Sequence, residues 1–256
     1  MPLEKIYVIR HGFRSNWLVD PATGTYSAYI PSPTGIPADP ALTSHGVSQA
    51  RELARHLMTL DPPVEAVYSS PFYRCLQTLE PFMQNLELRK QQRDRKASGP
   101  AAGDDGVVAR PAAIAVLKSL FPAIDEGYQP VVVPSPRGET LAQLQERVAV
   151  ALRGIIEQCD AQGARSALLC THAAVVIVLG RILTGQRKGE ASGGKASLSA
   201  DSFDAAASLI TGGWNCELNS DCSFLSGGKE RGWRFAGDES FPGTGSLSRG
   251  DAESKL

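Results

Sequence analysis

The chain has 256 residues and a formal net charge of −1 at pH 7, so its balanced charges argue against a surface for nucleic acid or an anionic membrane. No run approaches the ~18 apolar residues that span a bilayer, and the N-terminus lacks the basic-then-apolar order of a secretory signal. We therefore expect an intracellular protein with no nucleic-acid binding and no membrane span.

Short apolar runs alternate with segments of helical periodicity along most of the chain. Strands are predicted at 6–9, 66–68 and 167–171, with short additional strands at 207–210, 215–218 and 223–225. Helices are predicted at about 44–57, 71–86, 114–121, 141–155 and 173–183. This alternation predicts an α/β fold with a mainly parallel sheet and helices on both faces, in three layers.

The helix starts carry recognisable capping residues. Thr43 and Ser44 precede the first helix as caps, and Ser70 followed by Pro71 has the pattern of an N-cap and a first helical residue. Thr140 and Gln143 form a capping box before the long fourth helix. Pro81 predicts a kink or an end within the second helix.

Three segments rich in Gly, Pro or Ser interrupt this pattern. A proline-rich loop covers 20–40, a basic Gly-rich stretch begins at 89, and a low-complexity stretch follows 185. We therefore predict one domain over 1–241, with loop insertions at about 89–110 and 185–201 and a flexible tail at 242–256.

Cysteine usage gives no sign of a disulfide framework or a zinc site. The five cysteines are odd in number and lack CxxC spacing. We expect buried thiols, because a free cysteine behaves as a small apolar side chain.

Chemically active residues follow three of the predicted strands. Arg10 and His11 follow the first, Arg74 lies shortly after the second, and His172 follows the third. Ligands of parallel sheets bind beyond the carboxyl ends of the strands, and arginines near a helix start favour an anion. The pattern therefore predicts a phosphate site built from these residues.

The segments that carry these residues resemble the histidine phosphatase superfamily, which includes the phosphoglycerate mutases. The matching segments are VIRHG (8–12), LTSHGVSQA (42–50), YSSPFYRCLQT (68–78) and THA (171–173). Within this superfamily, the sequence is similar to a fungal branch that includes the phosphatase-like domain of a subunit of the class III transcription factor. The resemblance implies a phosphoglycerate mutase-like three-layer fold.

The resemblance also implies roles for individual residues. His11 would attack phosphorus and become phosphohistidine, while Arg10, Arg74 and His172 would hold the phosphoryl oxygens. This agrees with the loose transition state of phosphoryl transfer, which needs positive charge and in-line placement. Arg14 and Ser15 are expected to be further substrate contacts. We expect no metal and no cofactor.

The proton donor departs from the family pattern. Relatives place a glutamate followed by Trp-Tyr after the second helix, and here the basic Gly-rich stretch stands in its place. The candidates for the general acid are Glu139, Asp104 and Asp105. Since a general acid contributes roughly 10²–10⁴-fold in rate, good leaving groups are expected to react fastest.

Three functions remain open from the sequence. The first is a phosphatase that hydrolyses a phosphomonoester or pyrophosphate of a small metabolite through phosphohistidine. The second is a catalytically weak or inactive interaction domain, similar to a transcription-factor subunit, which the missing acid would permit. The third is a phosphoglycerate-type mutase.

The tripeptide Ser254-Lys255-Leu256 matches a peroxisomal import address, which a receptor reads at a free C-terminus. We expect this import receptor as a partner and a peroxisomal location, or otherwise a cytoplasmic one.

Overall fold

The computed structural model describes residues 2–19, 26–94, 113–135, 138–185 and 213–229. The strands are β1 Lys5–Arg10, β2 Trp17–Val19, β3 Tyr26–Ala28, β4 Ala66–Ser69 and β5 Ser166–Thr171. The helices are α1 Ser44–Leu57, α2 Tyr73–Asp94, α3 Ile114–Leu120, α4 Leu141–Gln162 and α5 Ala173–Thr184. Among these residues, no helix is long and apolar enough to cross a membrane.

The described residues form two compact units, and the first contains the main sheet. It draws its residues from 1–129, 163–172 and 222–229. Strands β1, β5 and β4 lie in that order and are all parallel, with Arg10 opposite Thr171 and Ser69 opposite Cys170. The carboxyl ends of the three strands therefore meet at one edge of the sheet.

The core of the first unit joins the central strand to two helices. Apolar side chains of α1 and α2 pack on β5, which is buried from Ser166 to Cys170. The buried members of this cluster are Leu53, Ala54, Leu57, Cys75, Leu79, Phe82, Leu168 and Cys170. Because β5 is covered and paired on both edges, its sequence is an uninterrupted apolar run.

The second unit contains α4 and α5, which pack against each other. The predicted capping box is present at the start of α4. The Gln143 side chain accepts from the Thr140 amide at 2.9 Å, and the Gln143 amide donates to Thr140 Oγ1 at 3.3 Å. The predicted α/β class with a parallel sheet is confirmed, as are strands β1, β4 and β5 and helices α1, α3, α4 and α5.

Helix α2 differs from its predicted boundaries at both ends. It begins at Tyr73, so the prediction that Ser70 caps it and Pro71 opens it is wrong. Asp39 supplies the cap from another segment, because its Oδ2 accepts from the Tyr73 amide at 2.7 Å. The helix continues through Pro81 to Asp94, since 87–94 consists mostly of strong helix formers.

Several loop predictions also changed. β2 and β3 form an antiparallel pair that overlaps the predicted loop at 20–40. The predicted strands at 215–218 and 223–225 are wrong: these residues are irregular or form turns, which the surrounding Gly, Ser, Asn and Asp favour. The predicted strand at 207–210, most of both predicted insertions and the C-terminal tail lie outside the described residues.

The cysteine prediction is confirmed for three of the five thiols. Cys75, Cys159 and Cys170 are buried and free. Cys216 is free but exposed, so the prediction of a buried thiol is wrong there, and Cys222 is partly exposed. Cys216 lies in the irregular segment that follows residue 213, where no regular element covers it.

Candidate functional site

The sheet edge brings the two predicted histidines together. The amide of His11, one residue past β1, donates to the carbonyl of Thr171 at 3.0 Å, so His11 is held beside the end of β5. His172 follows directly, and the centroids of the two imidazole rings are 5.4 Å apart. On the other edge of β5, the amide of Ser70 donates to the carbonyl of Cys170 at 2.9 Å.

The geometry of His11 determines which ring nitrogen carries the proton. Nδ1 lies 2.8 Å from the carbonyl oxygen of Gly12, which can only accept, so Nδ1 is the protonated nitrogen. Burial lowers the pKa of His11 to about 2, with smaller contributions from the positive charges of Arg74 and Arg10. The ring is therefore neutral, and Nε2 has a free lone pair.

Three arginines place positive charge around this ring. The positive charges of Arg10 and Arg74 lower the pKa of His11, and they also lower the pKa of Arg14. Burial, followed by the charges of Arg74 and Arg10, lowers the pKa of Arg14 to about 10. Arg10 is largely exposed, yet partial burial also lowers the pKa of its guanidinium. Such a concentration of cations suits a dianionic phosphoryl group.

Arg74 is held in place by a buried carboxylate. Its Nη1 lies 3.0 Å from Oδ1 of Asp39, which is fully buried, and 3.4 Å from the carbonyl of Ala38. Burial raises the pKa of Asp39, although the Tyr73 amide and Arg74 oppose this. Asp39 thus both orients Arg74 and caps the helix on which Arg74 lies.

His172 is oriented by Arg74 and Ser70. Nη2 of Arg74 lies 3.4 Å from Nδ1 of His172, and a guanidinium can only donate. In the neutral ring Nε2 then carries the proton and donates to Oγ of Ser70 at 2.9 Å. The ring of Phe72 packs edge-on against His172 at 5.2 Å and lies 4.6 Å below the guanidinium of Arg74. These contacts leave the hydroxyl proton of Ser70 available to a bound oxygen.

The loop after His11 is fastened to α2 and α1. The Gly12 amide donates to Oγ1 of Thr78 at 2.9 Å, and Thr78 donates in turn to the carbonyl of Arg74 at 2.7 Å. A side chain at Gly46 would place its Cβ 2.1 Å from the carbonyl oxygen of Phe13. The loop can therefore lie on α1 only because residue 46 is glycine.

The other predicted site residues are placed less uniformly. Arg14 lines an open depression next to the site. Ser15 is buried, and its hydroxyl donates to the carbonyl of Ile30 at 3.2 Å. In the second unit, Glu139 binds both Nε and Nη2 of Arg147, at 2.5 and 2.8 Å. Asp104 and Asp105 lie outside the described residues. The roles of these residues remain predictions.

No cluster of three or more His, Cys, Asp or Glu with the geometry of a metal site occurs among the residues that the structure describes.

Sequence reasoning missed four residues that organise the site: Asp39, Ser70 as a partner of His172, Phe72 and Thr78. The sequence does single out Asp39. It is the only Asp, Glu, Lys or Arg between Pro21 and Ala50. A single charge in an apolar, proline-rich stretch indicates a buried partner. The other three residues had no comparable signal.

Comparison with known proteins identifies a family and several relatives. Residues 6–199 match the model of the histidine phosphatase superfamily, branch 1. The transcription factor tau 55 kDa subunit of Saccharomyces cerevisiae is 32% identical over 92% of this chain and 59% of its own length. The ecdysteroid-phosphate phosphatase of Drosophila melanogaster is 27% identical over 71% of this chain and 27% of its own length. The chain thus spans 59% of the length of the first relative and 27% of the length of the second.

One similar solved structure is the ecdysone phosphate phosphatase from Bombix mori in complex with tungstate. It has a TM-score of 0.46 and 19% identity, over 76% of this chain and 83% of that chain. The family match covers the two histidines and the arginines of the sheet edge, and it confirms the resemblance seen in the sequence. The chain therefore belongs to the histidine phosphatase superfamily, branch 1.

Proposed function

We propose that this chain is a phosphatase that hydrolyses a phosphomonoester or pyrophosphate of a small metabolite through a phosphohistidine at His11. The observation that carries the proposal is the neutral ring of His11, with its proton on Nδ1 and a lone pair on Nε2, beside the charges of Arg10 and Arg74. A base that is already deprotonated needs no further activation before it attacks phosphorus.

The reaction has two displacement steps. Nε2 of His11 attacks phosphorus, the bond from phosphorus to the ester oxygen breaks, and the leaving oxygen keeps the electron pair of that bond and takes a proton from solvent water. A second water molecule then attacks the phosphohistidine and gives up one proton to solvent, the N–P bond breaks with its electron pair returning to Nε2, and hydrogen phosphate leaves. Arg10 and Arg74 stabilise the charge on the equatorial oxygens in both steps, and His172 holds Ser70 so that its hydroxyl can donate to one of these oxygens.

Two observations support a phosphatase. The superfamily includes phosphatases and mutases, and one relative carries the name ecdysteroid-phosphate phosphatase. In addition, His11 is only 9% exposed, and the arginines place positive charge close to it. In such an environment charge stabilisation is stronger than in water.

The test is a panel of activated aryl phosphates, alkyl phosphates and pyrophosphates, assayed with the wild type and with His11→Ala. We expect turnover by the wild type, its loss in His11→Ala, and an acid-labile phosphoprotein at short times. His56→Ala is the matched control, because His56 stacks on Phe224 at 4.5 Å, away from the site. A phosphoprotein that persists in His11→Ala would contradict the proposal.

A second function, a catalytically weak or inactive domain that binds other proteins, is favoured by one observation: a relative of 32% identity is a transcription factor subunit. The same assay separates the two functions. No turnover and no phosphoprotein, together with a stable complex of defined stoichiometry with a partner protein, would support the interaction domain.

A further inference from the structure

Three large apolar side chains are exposed together beside Arg14. Phe13 is 46% exposed, Tyr29 72% and Ile30 43%. They line an open depression of about 340 Å³, whose full lining is Phe13, Arg14, Ser15, Asn16, Tyr29, Ile30 and Thr43. Aromatic and aliphatic side chains exposed in one place mark a site of interaction rather than a random surface.

The walls of this depression are joined by hydrogen bonds. The hydroxyl of Ser15 donates to the carbonyl of Ile30 at 3.2 Å, and the amide of Tyr29 donates to the carbonyl of Asn16 at 3.1 Å. The amide of Ser15 donates to the carbonyl of Ala41 at 3.0 Å. These bonds hold the backbone of the two walls together, so less backbone ordering is needed when a ligand binds.

The depression shares Arg14 with the cationic site. Arg14 lines the depression, and its charge is close enough to Arg10 and Arg74 for both to lower its pKa. Phe13, another lining residue, follows His11 by two residues, on the loop that Thr78 fastens through the Gly12 amide. The depression is therefore adjacent to the cationic site.

We propose that the depression receives the aromatic group of an aryl phosphomonoester, with Phe13 and Tyr29 as its main contacts. The proposal rests on the proposed phosphatase function and names its substrate class. The volume lies in the range of small-molecule sites, and two aromatic rings favour an aromatic partner through stacking and edge contacts.

The chemistry of the leaving group agrees with this choice. An aryl phosphate releases a phenolate, which needs less help from a general acid than the alkoxide of an alkyl ester. Among the described residues, the one predicted acid, Glu139, is bound by Arg147. An aromatic subsite therefore selects substrates that this site can cleave.

The experiment compares 1-naphthyl phosphate with hexafluoroisopropyl phosphate, two esters whose parent alcohols have similar acidity. We expect the wild type to favour the naphthyl ester in kcat/KM by at least tenfold, mainly through a lower KM. Tyr29→Ser and the double variant Phe13→Ser/Tyr29→Ser should reduce this preference stepwise toward one. Leu88→Ser, at another exposed apolar residue, should preserve it.

Each outcome discriminates. If the wild type shows equal kcat/KM for the two esters and His11→Ala turns over neither, the aromatic subsite is refuted. The proposed phosphatase function is then retained. A binding measurement covers the opposite case, using 1-naphthylmethylphosphonate and methylphosphonate. If no ester is turned over but the naphthyl compound binds at least tenfold more tightly, and Tyr29→Ser removes this difference, the subsite stands while the phosphatase function fails.

Discussion

At the scale of single residues, burial and one backbone contact determine the protonation of His11. The carbonyl of Gly12 takes the proton of Nδ1, while desolvation and the neighbouring cations keep the ring uncharged. We expect ¹⁵N NMR to show His11 in the Nδ1-protonated form with no titration between pH 8 and pH 5. A ring that gains a proton near pH 6.5 would contradict this assignment.

The same shift makes folding stability depend on pH. The pKa of His11 is 6.5 in the unfolded chain and about 2 in the folded protein. The neutral ring therefore makes its full contribution to the free energy of unfolding above pH 6.5, and this contribution is lost as the pH falls toward 2. Between pH 7 and pH 5 this loss amounts to about 2 kcal/mol. Urea unfolding should show a smaller loss in His11→Asn, and an equal loss would refute the prediction.

Asp39 is expected to act through Arg74. In Asp39→Asn the guanidinium loses its buried charge partner, which should cost about 3 kcal/mol in unfolding free energy. Because Arg74 would no longer be oriented, the inhibition constant of inorganic phosphate should rise at least tenfold. Glu52→Gln is the control, since the Glu52 carboxylate also accepts a backbone amide, that of Ser226, but in an exposed position. An unchanged phosphate affinity in Asp39→Asn would show that Asp39 is only a helix cap.

Sequence reasoning found the residues whose signal is local and missed those whose role depends on distant contacts. His11, Arg74 and His172 each follow a strand whose apolar pattern is readable by itself. Asp39 acts on Arg74 across 35 positions in the chain, and Ser70 turns from an expected helix cap into a partner of His172, 102 positions away. Such contacts arise only when the parallel strands are aligned.

At the scale of elements, the close contact between the β1 loop and α1 is the point of greatest steric demand. A Cβ at Gly46 would lie 2.1 Å from the carbonyl oxygen of Phe13, which is backbone and cannot rotate away. Gly46→Ala should therefore lower the unfolding free energy by about 1–3 kcal/mol and also reduce activity, because the loop carries His11.

The matched control lies on α5. A Cβ at Gly180 would meet no atom of the described residues within 4 Å, and the residue lies inside a helix. Gly180→Ala should raise the unfolding free energy by about 0.5–1 kcal/mol through its better helix propensity. Thermal unfolding of both variants checks the pair, and a Gly46→Ala protein as stable as the wild type would show that the loop can shift at no cost.

The ends of helices and the short strands were hard to predict for a comparable reason. Pro81 predicted a kink or an end within α2, yet residues 87–94, mostly strong helix formers, continue the helix. β2 and β3 are three residues long, and the proline content of the following segment concealed them. Short elements depend on pairing with each other more than on their own composition.

At the scale of the whole molecule, the proton donor decides which substrates react. Glu139 is held at both carboxylate oxygens by Arg147, the arrangement of a structural ion pair. We expect Glu139→Gln to leave unchanged the slope of log(kcat/KM) against leaving-group pKa over a series of aryl and alkyl phosphates. Glu146→Gln, on α4, the helix that follows Glu139, serves as the control. A steeper slope confined to Glu139→Gln, with poor leaving groups slowed by about 100-fold or more, would instead identify Glu139 as the general acid.

The sheet order β1-β5-β4 has a consequence for how the protein is made. The strand that joins the other two is translated last, so β1 and β4 have no neighbour to pair with until residues 166–171 leave the ribosome. His11 and Ser70 are each held by a backbone hydrogen bond to this strand, and His172 follows it directly. The two imidazole rings can therefore take up their neighbouring positions only after the last strand of the sheet has been synthesised.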